Sequence, residues 1–215
     1  MSKTCFYRMT YDGGSAPNPF HGWCTLAICT PNHARANLDS GDYIVGVEGV
    51  TLRRQRITLL GGDATETRLQ LLYIMRVAEV LTLEKYFEDP RFAAKKAEPR
   101  SRNPVKMMGD NVYFKGADGK WSWIRGHIHD SNQDSNRLIE QDQRGNRVFI
   151  ASDFVYFGRG CIDLPDPYQQ FVPLRGLKYM RDDGLGDALF AYAQKQAGDV
   201  GQIGLPISMQ TGGSC

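Results

Sequence analysis

Asp12, Asp110 and His129 are the candidates for proton transfer in this chain. Asp12 opens a stiff loop, Asp12-Gly-Gly-Ser-Ala-Pro-Asn18-Pro-Phe20, that runs through His21-Gly22 into Trp23-Cys24-Thr-Leu-Ala-Ile-Cys29. Pro17 and Pro19 each fix φ and remove a backbone donor, which pushes Ala16 and Asn18 toward extended geometry. A rigid, polar-tipped loop at the end of a core strand is a common foundation for a binding site, and equally a structural turn. Asp110, in Gly109-Asp110-Asn111, can bind a base edge, a sugar hydroxyl or a metal, or can simply form an Asx turn. His127 and His129 fall on one face of a strand if the segment is extended. There they can carry protons near neutral pH, or hold a metal completed by Asp12, Asp110 or Asp130. Against a structural zinc, the chain contains no compact four-ligand pattern.

A nucleobase also needs a flat wall and amide groups for its edge. Asn18 and Asn111 supply the amides. Phe20, Trp23 and Tyr156 supply rings able to stack on a base, although Phe154 and Tyr156 share one strand face and would equally serve as core. The Walker loop, the dinucleotide Gly-x-Gly-x-x-Gly and the zinc-deaminase signature are missing, so the sequence names no cofactor.

The motif blocks resemble one family. Asp12 to Phe20, the Gly-aromatic-Cys-Thr-Leu-Ala run and Gly41-Asp-Tyr-Ile-Val-Gly46 are followed in order by Tyr73 to Val80, Tyr86-Phe-Glu-Asp-Pro-Arg-Phe92, Gly109 to Tyr113, His129-Asp-Ser131 and Ser152 to Gly158. Together they are similar to the nucleotide modification associated domain, type two, over about Tyr7 to Pro165. The resemblance implies a place in phage or bacterial base-modification systems. Its partners would be a nucleotide or modified nucleic acid and other base-modification enzymes. It gives weight to Asp110, His129 and Ser131 as site residues. The family's C-terminal Gly-x-Gly-His-like element appears only as Leu174 to Lys178, without the His. A looser resemblance, resting on two segments, is to the PUA-like barrels of EVE and ASCH modules, which bind modified bases. Two functions follow: an enzyme or enzyme component acting on a base, or a reader that binds a modified base in DNA or RNA unchanged.

The elements that must position these residues are short. Cys5 to Tyr11, Trp23 to Cys29, Tyr43 to Val47, Leu69 to Leu81, Arg147 to Ile150 and Phe154 to Phe157 read as strands. Asn111 to Phe114 and Trp121 to Ile124 flank a hairpin turn at Asp118-Gly119. Thr82 caps a short helix that ends at Asp89-Pro90, and Gly184 to Ala197 is an amphipathic helix with Leu185, Leu189 and Tyr192 on one face. Val50 to Thr67 reads as a loop or hairpin, Ala93 to Met108 as a basic loop, His127 to Arg147 as a surface excursion, and the Gly-rich tail from about residue 198 as loosely structured. The fold class is α+β: a curved mixed or antiparallel sheet or small β-barrel, PUA-like, with a few peripheral helices, in a single domain over 1–215.

Composition narrows the classes. The chain of 215 residues is 41% hydrophobic and balances 26 basic against 24 acidic residues. A formal charge of +2 does not coat a polyanion, so nucleic-acid affinity needs a local patch. Arg53-Arg54-Gln55-Arg56 and Lys95-Lys96 with Arg100-Ser-Arg102 are the candidates, with ordinary solvated charge as the alternative. No apolar run reaches transmembrane length, so no membrane partner and a cytoplasmic location are expected. Five scattered cysteines argue against a disulfide framework, and Cys24 and Cys29 would face opposite sides of a strand.

Overall fold

The computed structural model describes residues 2–28, 36–63, 65–126, 135–181 and 184–209. In chain order the main elements are β1 (Lys3–Met9), β2 (Cys24–Leu26), β3 (Tyr43–Glu48), α1 (Val50–Leu60), β4 (Gln70–Arg76), β5 (Glu79–Leu81) and α2 (Leu83–Glu88). A 3-10 helix (Pro90–Lys95), α3 (Pro104–Met107) and the hairpin β6 (Tyr113–Lys115) and β7 (Trp121–Trp123) follow, then α4 (Ser135–Gly145), β8 (Val148–Ala151) and β9 (Asp153–Tyr156). The chain continues through β10 (Ile162–Asp163), α5 (Asp166–Gln169), β11 (Leu177–Arg181), α6 (Leu185–Ala197) and β12 (Gly201–Gln202). This is an α+β fold on a mixed sheet, ordered β11-β1-β3-β4-β9-β12, with β10 added to β4. A second sheet runs β2-β8-β5, and the strands of the described residues do not close into a barrel.

The two sheets are one folded surface. β4 passes into β5 through Val77 and Ala78, and β8 passes into β9 through Ser152. The pairs β4–β9 and β5–β8 are both antiparallel, and Ala78 N donates to Ile150 O across the bend at 2.8 Å. Strands buried on both faces read as near-continuous apolar runs, as in Leu71 to Met75 and Val148 to Ala151. Where β3 meets β4 the register shifts between Gly46 and Val47, leaving Leu72 without a partner on β3. The bulge sends Leu72 and Tyr73 to the same face, with Cys5, Ile44, Met75, Phe154 and Tyr156. The other face packs Phe6, Val45, Ile74 and Val155 against Leu189 and Ala193 of α6. A third cluster joins Tyr86 of α2, Phe92 of the 3-10 helix and Tyr113 of β6 with Val148 and Ile150 of β8.

Several expectations need correction. Val50 to Thr67 is not a loop throughout, because α1 occupies Val50–Leu60. Its apolar residues form no stripe, and only Leu52 is buried. What anchors it is Glu48, buried at the end of β3, whose carboxylate accepts from Arg53 Nε at 3.0 Å and Arg56 Nε at 2.6 Å. Those two arginines are therefore committed internally rather than offered as a basic patch. The excursion from His127 to Arg147 contains α4, which buries Ile139 and Asp142. The tail is held through 209: β12 runs parallel to β9, and Ile207 and Met209 are buried. The barrel alternative is replaced by the open bent sheet.

Gly46 tests the packing of this bend. A Cβ built there would lie 2.2 Å from the ring of Tyr73 and 2.8 Å from Met9 Sδ. We expect Gly46→Ala to lower unfolding free energy in urea by about 1–3 kcal/mol, the usual cost of overpacking. Gly160→Ala, whose Cβ would meet nothing within 4 Å, should stay within about 0.5 kcal/mol of the parent.

Candidate functional site

The loop after β1 is tied down at both ends. Asn18 and Thr25 exchange backbone hydrogen bonds at 2.9 and 3.0 Å, making 18–25 a hairpin that feeds β2. At its tip His21 and Gly22 have φ of 60° and 76°. Left-handed geometry is costless for Gly22 and uncommon for His21. Phe20 is buried, filling space against Gly14, whereas Trp23 is half-buried with its ring edge-on to Phe92 at 5.4 Å.

Two buried polar groups grow from this loop. In the first, Asp12 is fully buried and accepts from Tyr156 Oη at 2.5 Å and from the Ile207 backbone N–H at 3.0 Å. Burial pushes the Asp12 carboxyl up to about 6, although Tyr156, Ile207 and the nearby Arg159 each favour the charged form. The Tyr156 ring lies tilted against that of Tyr73, whose hydroxyl bonds that of Tyr7 at 2.8 Å.

The second group is centred on Lys95, which is 1% exposed. Its three ammonium hydrogens are shared among four acceptors: Asn18 O (2.9 Å), Asn18 Oδ1 (2.7 Å), Trp23 O (3.0 Å) and Thr25 Oγ1 (3.0 Å). Thr25 Oγ1 in turn donates to Asp110 Oδ2 at 2.6 Å, and Tyr86 Oη donates to Asp110 Oδ1 at 2.8 Å. Asp110 is bonded on both oxygens, by Thr25 and by Tyr86, and Thr25 accepts from Lys95. Lys95 and Asp110 are a cation and an anion joined through one hydroxyl. Burial lowers the Lys95 ammonium to about 8, with Asp110 opposing, and burial raises the Asp110 carboxyl against the pull of Lys95, Thr25 and Tyr86. Cys24 lies within electrostatic reach of Lys95, Asp110 and Asp12, and burial raises its thiol.

The segment carrying Asp110 locks onto the first loop. Asn18 Nδ2 donates to Met108 O at 2.9 Å, and Ser15 Oγ reaches Met108 Sδ at 3.4 Å. Asn111 N donates to Lys95 O, and its side-chain Nδ2 donates to Tyr86 O and Phe92 O. Asn111 Oδ1 is buried and has no hydrogen-bond partner among the described residues.

Of the expected site residues, Asp12 and Tyr156 form one group. Asn18, Asp110, Asn111 and Trp23 gather around Lys95 in the other. Phe20 packs beside them, and His129 and Ser131 lie outside the described residues. Every described residue of the set except Trp23 is buried. Asn18 has both ends of its amide engaged, so it frames the cluster instead of offering a free edge. Residue type and spacing do not single out Lys95, Thr25 or Tyr86 as site residues. Thr25 and Tyr86 sit inside the motif blocks, which is a signal. Lys95 stands in a basic stretch with no periodicity and reads as solvated charge there. Among the described residues no group of three or more His, Cys, Asp or Glu could hold a metal. A surface cavity of 580 Å³ lies elsewhere, lined by Arg53, Arg54 and Ile57 of α1 and by Glu66.

The two shifted groups give opposite pH signatures. Folded Asp12 holds its proton between its unfolded value, near 4, and about 6, so its contribution to stability falls as pH rises through that window. Folded Lys95 loses its proton at about 8, before the unfolded chain does at about 10.5, so its contribution rises from pH 8 to 10.5. Urea unfolding of Asp12→Asn should show a smaller fall above pH 4 than the parent, Asp110 supplying the remainder. Lys95→Met should lack the rise between pH 8 and 10.5, read as the difference from the parent so that the buried tyrosines and cysteines cancel. Superimposable profiles would contradict the assignment.

Comparison with known proteins gives one match. The sequence model of the family described as nucleotide modification associated domain 2 matches residues 1–212. No curated protein and no solved structure matches the chain. No helix among the described residues is long and apolar enough to cross a membrane. With nearly its whole length covered, from β1 past the buried tail, this chain belongs to the nucleotide modification associated domain 2 family.

Proposed function

We infer that this protein is a component of a nucleotide or DNA base modification system that binds a nucleotide or base where the Asp12–Phe20 loop meets Gly109–Tyr113. The observation that carries this reading is the buried Lys95–Thr25–Asp110–Tyr86 chain at that meeting point. A sealed ion pair contributes little or nothing to stability beyond what well-packed apolar residues would supply, so its presence under two motif loops calls for another reason. Asp12, Asp110 and Asn18, with their strong bonds made internally, shape the loops and set the local field. Direct contact falls to the half-buried ring of Trp23 and to His129 and Ser131 on the segment that follows. In this arrangement proton transfer to or from a base is the task of His129, with Asp12 and Asp110 acting through position.

A reader that binds a modified base without altering it is the second reading, and the full burial of both carboxylates favours it over direct catalysis by Asp12 or Asp110.

The test is thermal unfolding with mononucleotides and with short oligonucleotides carrying normal or modified bases. A ligand at a hundredfold excess over Kd should add about 2.7 kcal/mol. Trp23→Ala and His129→Ala should lose that stabilisation while unfolding cooperatively. A panel without effect would overturn the reading. If the parent changes nucleoside composition in a host and His129→Ala does not, the enzyme holds; if neither protein changes it, the reader holds.

A further inference from the structure

The formal charge of the chain is unevenly placed. Residues 82–126 carry ten Lys and Arg against six Asp and Glu, a surplus of four, whereas the whole chain has a surplus of two. The same segment holds a series of half-buried rings beneath cations. Lys96 Nζ stands 4.0 Å from the centroid of Phe87, which stacks on Phe114 at 4.8 Å. Lys115 lies over Trp121 at 5.5 Å, and Arg125 over Trp123 at 3.9 Å. Arg91 lies over Trp23 at 5.9 Å, which joins this series to the loop tip of the candidate site.

The carboxylates here are accounted for. Glu84 pairs with Lys115, Glu98 with Lys106, Asp89 and Glu79 with Arg91, and Asp118 with Lys120 at 3.8 Å. Glu88 is exposed on α2, and Asp110 is sealed. Lys96, Arg100 and Arg102 have no carboxylate partner among the described residues. The loop bearing Arg100 and Arg102 is close to Arg125, since a Cβ built on Gly126 would lie 3.4 Å from Pro99.

Cations beside flat rings match a chain of phosphates carrying flat bases. A phosphate draws the cation, and a base stacks on the ring, at about 1–3 kcal/mol per base. A duplex hides its base faces and would use the charges alone. We propose that the surface formed by α2, the 96–106 loop and the β6–β7 hairpin docks single-stranded nucleic acid, leading it toward Trp23. This deepens the proposed function, on which it rests, by naming the substrate as a base within a single strand.

The test is fluorescence anisotropy of the full chain with a labelled twelve-residue thymidine oligonucleotide, an abasic strand of equal length and a duplex. The triple variant Lys96→Ala/Arg100→Ala/Arg102→Ala should bind the oligonucleotide at least tenfold more weakly. Its salt slope should be shallower by about 2, since each phosphate neutralised on a single strand adds about 0.7 to the slope. The parent should bind the abasic strand and the duplex at least tenfold more weakly than the oligonucleotide. An unchanged affinity in the variant, or equal binding of the three probes, overturns the proposal. Trp121→Ala supplies an independent check should the triple variant unfold, and a tenfold loss is again expected. Thermal shift with a mononucleotide separates the two readings. A parent stabilised by the mononucleotide but indifferent to the strand retains the base site without this surface. Strand binding that depends on these cations, with no stabilisation by any nucleotide, retains the surface without the base site.

Discussion

The ammonium of Lys95 is the constraint around which this fold is arranged. A cation taken out of water must find acceptors, and the ones it finds belong to other elements: two oxygens of Asn18, the carbonyl of Trp23 and the hydroxyl of Thr25. Each acceptor fixes a piece of backbone. The hairpin 18–25 is fastened at its base, the 3-10 helix is pinned by the lysine at its end, and Thr25 links the lysine to Asp110. Removing either charge alone would leave the other buried and uncompensated, a loss typically of about 3–5 kcal/mol.

A second tie starts from Asp12. Asp12 receives Tyr156 from β9 and the backbone of Ile207 from the tail, so the first loop, the sheet and the C-terminal segment meet on one carboxylate. Arg159 reinforces the same junction through the carbonyls of Pro206 and Met209. Both ties start from the loop between β1 and β2, and the bend of the sheet at Ala78 and Ser152 brings their partners within reach. The bent sheet, the bulge at Leu72 and the two buried polar groups thus depend on one another.

Much of the fold is legible from local patterns. The β-branched and aromatic runs at Tyr43 to Val47, Leu69 to Leu81 and Phe154 to Phe157 correspond to β3, β4–β5 and β9, and Thr82 accepts from Lys85 N as an N-cap should. Helix α1 is illegible by the same means because it presents no apolar stripe and depends on Glu48, outside its own span. The tail reads as loose because glycines dominate it, while its anchor is a backbone N–H on a distant carboxylate. Among the site residues, Asp12, Asn18, Asp110 and Asn111 stand out by type and setting. That Lys95 joins them is not encoded in its neighbours, since a buried and a solvated lysine look alike without the acceptors that receive them.

A double-mutant cycle on Lys95→Met and Asp110→Asn tests the central claim most directly, namely that these two charges act as one unit supporting the candidate base site. Each single variant should be strongly destabilised. The double variant should be more stable than additivity of the two losses allows, by at least about 1 kcal/mol, and should no longer be stabilised by the nucleotide that stabilises the parent. Additive losses, or a double variant that retains the full nucleotide response, would contradict the account.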